Sequence, residues 1–249
     1  MTFTLDAPHK NALTIGTYEE LRDGFRAVAL DERLRVVVLT GANRNFCSGG
    51  HVKDIIGRLV NAGAEELRQF NELTMSTVQA MRAAPQIIVA AIDGVAVGGG
   101  AALALATDLR VASDRARLGF VFPKVGLCAG DMGVSWLLPR LVGHGRAAEL
   151  LLLGSFIDAR DALAIGLVNV VASEPELRQR TDALVEQLLQ TPPEATKRTK
   201  ILLNDTWVRG FDEHAAAEMT AQVECMQEPD FQEGYAAFTA KRVPRFGKR

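Results

Sequence analysis

A buried strand, three consecutive glycines and a helix follow one another in residues 86–108, which read QIIVAAIDGVAVGGGAALALATD. Residues 87–92 form an apolar run that is too short to span a membrane and contains β-branched side chains, which favours a buried strand. Residues 101–106 are strong helix formers. A helix that begins directly after such a turn presents unpaired backbone N–H groups, and its dipole favours negative charge there. We therefore expect a group that is anionic, or becomes anionic during a reaction, at this turn.

The three glycines, Gly98, Gly99 and Gly100, also have two alternative interpretations. The first is a simple tight turn, but such a turn seldom needs three glycines in a row, whereas close approach of another molecule to the backbone favours them. The second is the dinucleotide-binding pattern G-x-G-x-x-G. Leu103 stands where the third glycine of that pattern should be, which argues against a nucleotide-dependent oxidoreductase.

The overall composition narrows the function classes. The 249 residues are 48% hydrophobic and 23% charged, as expected of a soluble globular protein, and the formal net charge of -2 offers no electrostatic basis for binding nucleic acid or an anionic membrane surface. No stretch predicts a transmembrane helix, and the first residues, MTFTLDAPHKNAL, lack the pattern of a signal peptide. Cys47, Cys128 and Cys225 have no C-x-x-C spacing. We therefore expect a cytoplasmic protein without a disulfide framework or a metal site.

Strands and helices alternate over the first two-thirds of the chain, and the last third is helical in pattern. A second buried strand at residues 35–40 (RVVVLT) runs into another glycine-containing loop, ANRNFCSGGHVKD. Thr17 and Glu20 form a capping-box pattern that predicts a helix over residues 17–30. Further helices are predicted at residues 65–82, 132–138, 147–153 and 158–165, and further strands at 109–112, 118–121 and 167–171. This organisation predicts an α/β fold, with a core in residues 1–173 and a helical region in residues 174–249.

The helical region carries an apolar stripe that is larger than a small appendage can bury alone. Self-association is the explanation we prefer, and packing of the stripe against the chain's own core is the alternative. The stripe comprises Leu184, Leu188, Leu202, Trp207, Phe211, Met219 and Val223.

Taken together, the two glycine loops and three further segments resemble the enoyl-CoA hydratase/isomerase (crotonase) family along nearly the whole chain. The segments that carry the resemblance are LDAPHKNAL, VVVLTGANRNFCSGGHVKD, IIVAAIDGVAVGGGAALALATDLRVAS, VGLCAGDMGVSWLLPRLVG and GYAAFTAKRVPRF. The resemblance implies a crotonase-like spiral of β-β-α repeats, a C-terminal helical trimerisation region, and assembly into homotrimers or hexamers. It places the first strand of this sequence at the family's second strand. It also implies an acyl-CoA substrate, with coenzyme A as part of the substrate and no other cofactor.

In this family two backbone N–H groups hold the thioester oxygen as it becomes an enolate oxyanion, and the matching positions are Gly50 and Gly99. The loop after Gly50 would line the path of coenzyme A, and the end of the chain would reach the ligand of a neighbouring subunit. For each lysine, a solvated surface charge is the alternative, and His51 is either a proton carrier or turned toward the ligand or solvent. The residues expected to bind substrate are Lys10, Gly50, His51, Val52, Lys53, Gly99, Phe122, Trp136, Phe238 and Lys241.

Two positions of this sequence depart from the pattern of the family's hydratases. Adding water to an enoyl thioester calls for two placed carboxyl groups, one to activate the water and one to deliver a proton. The resemblance matches the two glutamate positions to Ala102 and Phe122. Neither side chain can transfer a proton, so the two-glutamate reaction does not carry over.

Asp131 is the remaining acid near the expected site, and the resemblance places it at the nucleophilic aspartate of chlorobenzoyl-CoA dehalogenase. Gln79 stands where the assisting histidine of that enzyme is expected, which argues against the same covalent route. We expect Asp131 to act as a general acid or base, and the alternative is a cap on a helix that begins near Met132. Nearby aromatic side chains would desolvate the carboxyl and raise its pKa. They are Phe120, Phe122 and Trp136.

The resemblance and these residues together imply an acyl-CoA-processing enzyme that stabilises a thioester enolate in an oxyanion hole. Gly50, Gly99 and Asp131 are the expected catalytic residues. Hydration and double-bond isomerisation are the family's commonest reactions, and the sequence does not decide between them. Two alternatives remain open at this stage. One is other enolate chemistry on a CoA thioester, such as C–C hydrolysis or decarboxylation, and the other is a catalytically inactive protein that binds CoA thioesters.

Overall fold

The computed structural model describes residues 1–247, and two sheets organise them. The larger sheet contains β1 (Thr2–Leu5), β2 (Val36–Gly41), β3 (Ile87–Ile92), β5 (Leu109–Ser113) and β8 (Val170–Ala172), and the smaller contains β4 (Val95–Val97), β6 (Arg117–Gly119) and β7 (Phe156–Asp158). The larger sheet is parallel throughout, in the order β1-β2-β3-β5-β8. In the smaller sheet, β6 pairs with β4 in parallel and with β7 in antiparallel.

Helices follow most of the strands and fill the C-terminal third. They are α1 (Ile15–Ala29), α2 (Ala64–Ala83), α3 (Gly99–Ala106), α4 (Val134–Val142), α5 (His144–Leu153), α6 (Ala159–Ala164), α7 (Leu177–Leu189), α8 (Pro193–Asp205), α9 (Phe211–Gln227) and α10 (Pro229–Thr239). Shorter helical turns occur at Pro8–Asn11, Val52–Ile56, Gly57–Leu59, Phe122–Val125 and Glu174–Glu176. The predicted α/β class is therefore confirmed.

The central strand, β3, is buried along its whole length, because both faces of the parallel sheet are covered. Ile88 faces the larger hydrophobic core, whereas Ile87 and Val89 face a smaller one. Leu184 and Leu188 of α7 close that smaller core. The first part of the predicted C-terminal stripe is thus explained by packing on the chain's own sheet.

The helix predicted to begin at Thr17 begins two residues earlier, at Ile15. Its N-cap is Thr14, whose hydroxyl accepts a hydrogen bond from the Thr17 N–H at 3.2 Å. The prediction that Thr17 and Glu20 form the capping box is wrong, because Thr14 has the extended backbone that an N-cap requires and Thr17 supplies the reciprocal hydroxyl.

The shortest strands escape sequence prediction. β4 and β7 were not expected, and the strand predicted at residues 118–121 is β6, which ends at Gly119. Each has three residues, which is too few to establish the alternation of apolar and polar side chains that identifies a strand.

The last helices, and the turn that follows α8, expose many apolar side chains. Trp207 is 61% exposed, Phe211 is 85% exposed and Phe238 is 86% exposed. Between α8, α9 and α10 lies an apolar groove of about 1140 Å³. A surface of this kind suits contact with another protein copy, so self-association and the two-region division of the chain stay predictions.

Two kinds of feature are absent from residues 1–247. No helix in that range combines the length and apolar character needed to cross a bilayer. The same range contains no group of three or more His, Cys, Asp and Glu side chains arranged to hold a metal ion.

Candidate active site

Backbone contacts join two loops, which we call the first glycine loop (residues 41–51) and the second glycine loop (residues 98–100). Cys47 N–H, in the first, donates to the Val95 carbonyl, just before the second, at 2.9 Å. A Cβ on Gly100 would lie 2.4 Å from the Cys47 carbonyl oxygen, so the two loops touch backbone to backbone. This close approach explains why glycine is required at position 100.

The second glycine loop turns the chain from β4 into α3. Gly98 adopts φ 52° and ψ -116°, a conformation that suits glycine, and its N–H donates to the Gly119 carbonyl at 2.9 Å. Gly99 is the first residue of α3, so its N–H has no acceptor within the helix. The strand, glycine turn and helix predicted from the sequence are present.

Gly50 presents its N–H in the same neighbourhood. Leu13 N–H donates to the Gly49 carbonyl, and His51 N–H donates to the Leu13 carbonyl, each at 2.8 Å. Because peptide groups alternate in direction along an extended segment, the Gly50 N–H points away from Leu13. A Cβ on Gly49 would lie 3.5 Å from the Gly99 nitrogen, so the two loops adjoin here. Neither N–H has a hydrogen-bond partner within residues 1–247, and two free donors on adjoining loops are compatible with an oxyanion hole.

Lys10 lies in a tight turn that packs on the first glycine loop. His9, Lys10 and Asn11 have left-handed φ values of 57°, 61° and 60°. The side-chain amide of the buried Asn11 donates to the Asn45 carbonyl at 2.7 Å, and Ser48 N–H donates to the Lys10 carbonyl at 3.0 Å. The Lys10 side chain itself is exposed. Its contact with a bound ligand stays a prediction.

His51 caps the helical turn Val52–Ile56. Its Nδ1 accepts a hydrogen bond from the Asp54 N–H at 3.2 Å and lies 2.8 Å from Asp54 Oδ2. The structure thus gives His51 a local structural role. Val52 is 70% exposed, and Lys53 is exposed as well. Both side chains are accessible to a ligand passing over this loop.

Asp131 lies just before α4 but does not cap it. The helix begins at Val134, its N-cap is Gly133, and no side chain caps it. The interpretation of Asp131 as the cap of a helix beginning near Met132 is therefore wrong, because Met132 (φ 49°) and Gly133 (φ 76°) are both left-handed and delay the helix. Burial raises the pKa of the Asp131 carboxyl, and a hydrogen bond from the Met132 N–H opposes that effect.

Tyr18 and Met132 both border Gly99 in the second glycine loop. A Cβ on Gly99 would lie 2.6 Å from the Tyr18 hydroxyl oxygen and 3.6 Å from the Met132 sulfur. The sequence analysis missed Tyr18, which falls in the apolar stripe of α1 with Leu21 and Phe25. A hydroxyl in such a stripe is a usable signal, because a buried tyrosine normally finds a polar partner.

Ala102 and Phe122 are apolar members of the larger core. Ala102 is fully buried in α3, and Phe122 is 5% exposed at the start of the turn Phe122–Val125. Their match to the catalytic glutamates of hydratases stays an interpretation. Neither residue can donate or accept a proton in a reaction.

Trp136 lies in a different environment from the one expected. The Arg140 guanidinium stacks on its ring at 3.7 Å, and that of Arg82 lies 5.5 Å from the ring centre. These three residues line a cavity of about 480 Å³, and neither Gly99 nor Asp131 lines it. Contact of Trp136 with the acyl group stays a prediction.

Phe238 lies in the last turn of α10 and Lys241 lies just beyond that helix, and both are remote in sequence from the two glycine loops. Phe238 lines the groove between α8, α9 and α10, and Lys241 is exposed. No contact in the described part of the chain tests their proposed role toward a neighbouring subunit.

The chain is similar to enoyl-CoA hydratases and isomerases over its whole length. The sequence model of the family "Enoyl-CoA hydratase/isomerase" matches residues 1–249. The 1,2-epoxyphenylacetyl-CoA isomerase of Escherichia coli K12 is 32% identical over 251 residues, covering 99% of this chain and 94% of that protein. The crotonyl-CoA hydratase of Syntrophomonas wolfei is 32% identical over 238 residues, covering 95% and 89%. The crystal structure of an enoyl-CoA hydratase from Bacillus anthracis superposes with a TM-score of 0.91 at 30% identity, covering 98% of this chain and 94% of that one. The crotonase-like fold expected from the sequence is confirmed.

Proposed function

The chain belongs to the enoyl-CoA hydratase/isomerase family, and from this premise we propose that it moves a carbon–carbon double bond within an acyl-CoA thioester. The reaction would proceed through an enolate held by the N–H groups of Gly50 and Gly99, with Asp131 moving the proton. One observation carries the proposal: the half-buried Asp131 carboxyl does not cap a helix, and the sulfur of its neighbour Met132 lies 3.6 Å from the position that a Cβ on Gly99 would occupy.

Removal of a proton from the acyl chain places negative charge on the thioester oxygen. Two N–H groups that are already oriented toward that oxygen stabilise the charge without reorganising during the reaction. In other enzymes, removing one such donor lowers kcat by about 100- to 1000-fold. The unpaired N–H of Gly99 and the outward N–H of Gly50 support this role.

A single carboxyl is sufficient for a double-bond shift. Asp131 would take a proton from one carbon as a carboxylate and return it to another carbon as the acid. A pKa raised by burial brings the carboxyl closer to the pH at which both steps are efficient. Hydration would need a second proton-transferring group, which Ala102 and Phe122 do not supply.

We further propose that coenzyme A lies over the first glycine loop, where Lys10 and Lys53 would meet its phosphates. The exposed apolar surface of α9 and α10 would be covered by a second copy of the chain, bringing Phe238 and Lys241 toward a neighbouring ligand. Coenzyme A would enter as part of the substrate, without a separate cofactor.

The test is turnover of a panel of β,γ-enoyl-, α,β-enoyl-, aryl- and β-keto-acyl-CoAs by the unmodified protein and by Asp131→Asn. We expect isomerisation of an enoyl-CoA with deuterium uptake from D₂O, and a loss of about 100- to 10,000-fold in Asp131→Asn. The control is Asp182→Asn, which changes an exposed carboxyl on α7 and should leave the rate unchanged.

Three results would contradict the proposal. Turnover that is insensitive to Asp131→Asn would remove the acid/base role. A hydrated or cleaved product would assign a different enolate reaction. Binding of every thioester without turnover would indicate a binding protein.

A further inference from the structure

Tyr18 is held rigidly in the first turns of α1. It is 3% exposed, and the Phe70 ring meets it edge to face with ring centres 6.1 Å apart. The Thr77 hydroxyl donates to the Tyr18 carbonyl at 3.1 Å, which ties this part of α1 to α2. The phenol ring therefore has little freedom to move.

The hydroxyl end of that ring lies against the second glycine loop. Its oxygen would be 2.6 Å from a Cβ on Gly99, a distance at which no side chain larger than hydrogen fits. The phenol thus stands beside the residue whose N–H is unpaired. Met132, next to Asp131, borders the same point, with its sulfur 3.6 Å from that Cβ position.

The hydroxyl of Tyr18 forms no hydrogen bond with any of residues 1–247, although buried tyrosine hydroxyls usually have a partner. It is also not sealed in the core. Among residues 1–247, the side-chain atoms that are both fully buried and without a hydrogen-bond partner are Gln86 Oε1, Arg140 Nε, Arg198 Nε and His214 Nδ1. The Tyr18 oxygen has no partner and is not in this group, so it keeps some access to solvent beside Gly99, where a bound group can accept its hydrogen bond.

The phenol is a donor rather than a base. Burial raises the pKa of Tyr18 well above its usual range, and the charges of Asp131 and Cys47 add to the effect. At neutral pH the hydroxyl keeps its proton. A neutral donor next to an oxyanion stabilises negative charge without having to change its own ionisation.

We propose that the Tyr18 hydroxyl donates a third hydrogen bond to the thioester oxygen, beside the N–H groups of Gly50 and Gly99. This inference rests on the proposed function, since it requires an acyl-CoA whose oxygen becomes an enolate oxyanion in this site. The bond strengthens as the oxygen gains charge, so Tyr18 acts on the enolate more than on the neutral thioester.

The test is binding of acetoacetyl-CoA, whose enolate absorbs in the near ultraviolet, and of butyryl-CoA, which remains neutral. The unmodified protein should increase the enolate fraction of bound acetoacetyl-CoA. Tyr18→Phe removes the hydroxyl alone and should weaken enolate binding by about 10- to 100-fold, the effect of a hydrogen bond to a charged group. Its affinity for butyryl-CoA should stay the same, and kcat should fall with little change in KM.

Thr4→Val is the control, because it also removes one hydroxyl, from an exposed residue of β1 that lies outside the proposed substrate and subunit contacts. It should leave enolate binding and turnover unchanged. Equal enolate binding by Tyr18→Phe and the unmodified protein would overturn the inference. A shifted pH–rate profile without weaker enolate binding would also overturn it, by making Tyr18 a partner of Asp131 instead.

The inference and the proposed function fail on different measurements. Enolate stabilisation that depends on Tyr18, without isomerisation of any enoyl-CoA, would uphold the inference and reject the proposed reaction. Isomerisation that depends on Asp131, with full activity in Tyr18→Phe, would uphold the proposed reaction and reject the inference. Absence of binding to both thioesters would overturn both.

Discussion

The second glycine loop and the loop that carries Asp131 meet beside Gly99, but different forces hold them in place. The glycine loop packs backbone against backbone, and its hydrogen bonds join it to neighbouring strands. The Asp131 loop instead turns through Met132, a fully buried residue with left-handed φ, before α4 begins. The part suited to binding an oxyanion therefore depends on the absence of side chains. The part suited to proton transfer depends on one half-buried carboxyl and on the left-handed backbone of Met132, a conformation of the kind found at functional sites.

The largest effect is expected from a methyl group placed in the contact between the two glycine loops. In Gly100→Ala the new Cβ would lie 2.4 Å from the Cys47 carbonyl oxygen. Backbone on both sides cannot yield easily, so we expect a loss of about 3 kcal/mol in the free energy of unfolding, measured by urea denaturation. Gly145→Ala is the control, since a Cβ there meets open space on α5. Equal stability of the two variants would contradict the tight packing.

A smaller loss is expected where the turn before α1 holds the first glycine loop. Asn11→Gly keeps the left-handed backbone but removes the buried amide that donates to Asn45 at 2.7 Å and Ala42 at 2.9 Å. We expect a loss of about 2 kcal/mol, because buried carbonyl oxygens lose their donor. Asn43→Gly has the same backbone requirement at an exposed site and should change stability by less than about 0.5 kcal/mol. Similar losses in both would assign the effect to the backbone conformation.

The contact between Gly99 and Tyr18 should appear as coupling between two substitutions. Gly99→Ala places a Cβ 2.6 Å from the Tyr18 hydroxyl oxygen, and Tyr18→Phe removes that oxygen. The destabilisation by Gly99→Ala should therefore be about 1 kcal/mol smaller in the Tyr18→Phe background. Unfolding free energies of the four proteins measure this difference, and strict additivity would show that the two groups do not touch.

The smallest effect is on the pH dependence of stability, and here the substitution is expected to stabilise the protein instead of destabilising it. Folding raises the pKa of Asp131 by burial, so the folded state binds that proton more tightly and loses stability as pH rises through the window above the unfolded pKa. Asp131→Asn should accordingly unfold at higher urea than the unmodified protein at pH 7. The gain should vanish below about pH 3.9, the usual pKa of an aspartate, where both states are protonated. Lower stability of Asp131→Asn at pH 7 would show that the carboxylate is stabilised in the fold.

Long and strongly patterned elements were predictable, and short ones were not. The apolar run of β3 and the glycine turn before α3 follow from local composition. The sequence placed the N-cap of α1 at Thr17, three residues after the actual N-cap, Thr14. Both residues have a hydroxyl, and which of them caps the helix depends on where the extended backbone ends. The start of α4 at Val134 was not predicted either. It depends on the left-handed backbone of Met132 and Gly133, which is set by the packing around Met132.

By itself, the sequence determined the α/β class, the glycine turn at Gly99 and the family, because each depends on local pattern or ordered motifs. The tertiary structure decided which side chains gather around that turn. Tyr18 lies 81 positions before Gly99 and Met132 lies 33 after it, yet packing of α1 and of the loop before α4 places both side chains beside Gly99. Distances across the fold are set by how helices and sheets pack, and no local pattern in the chain encodes them.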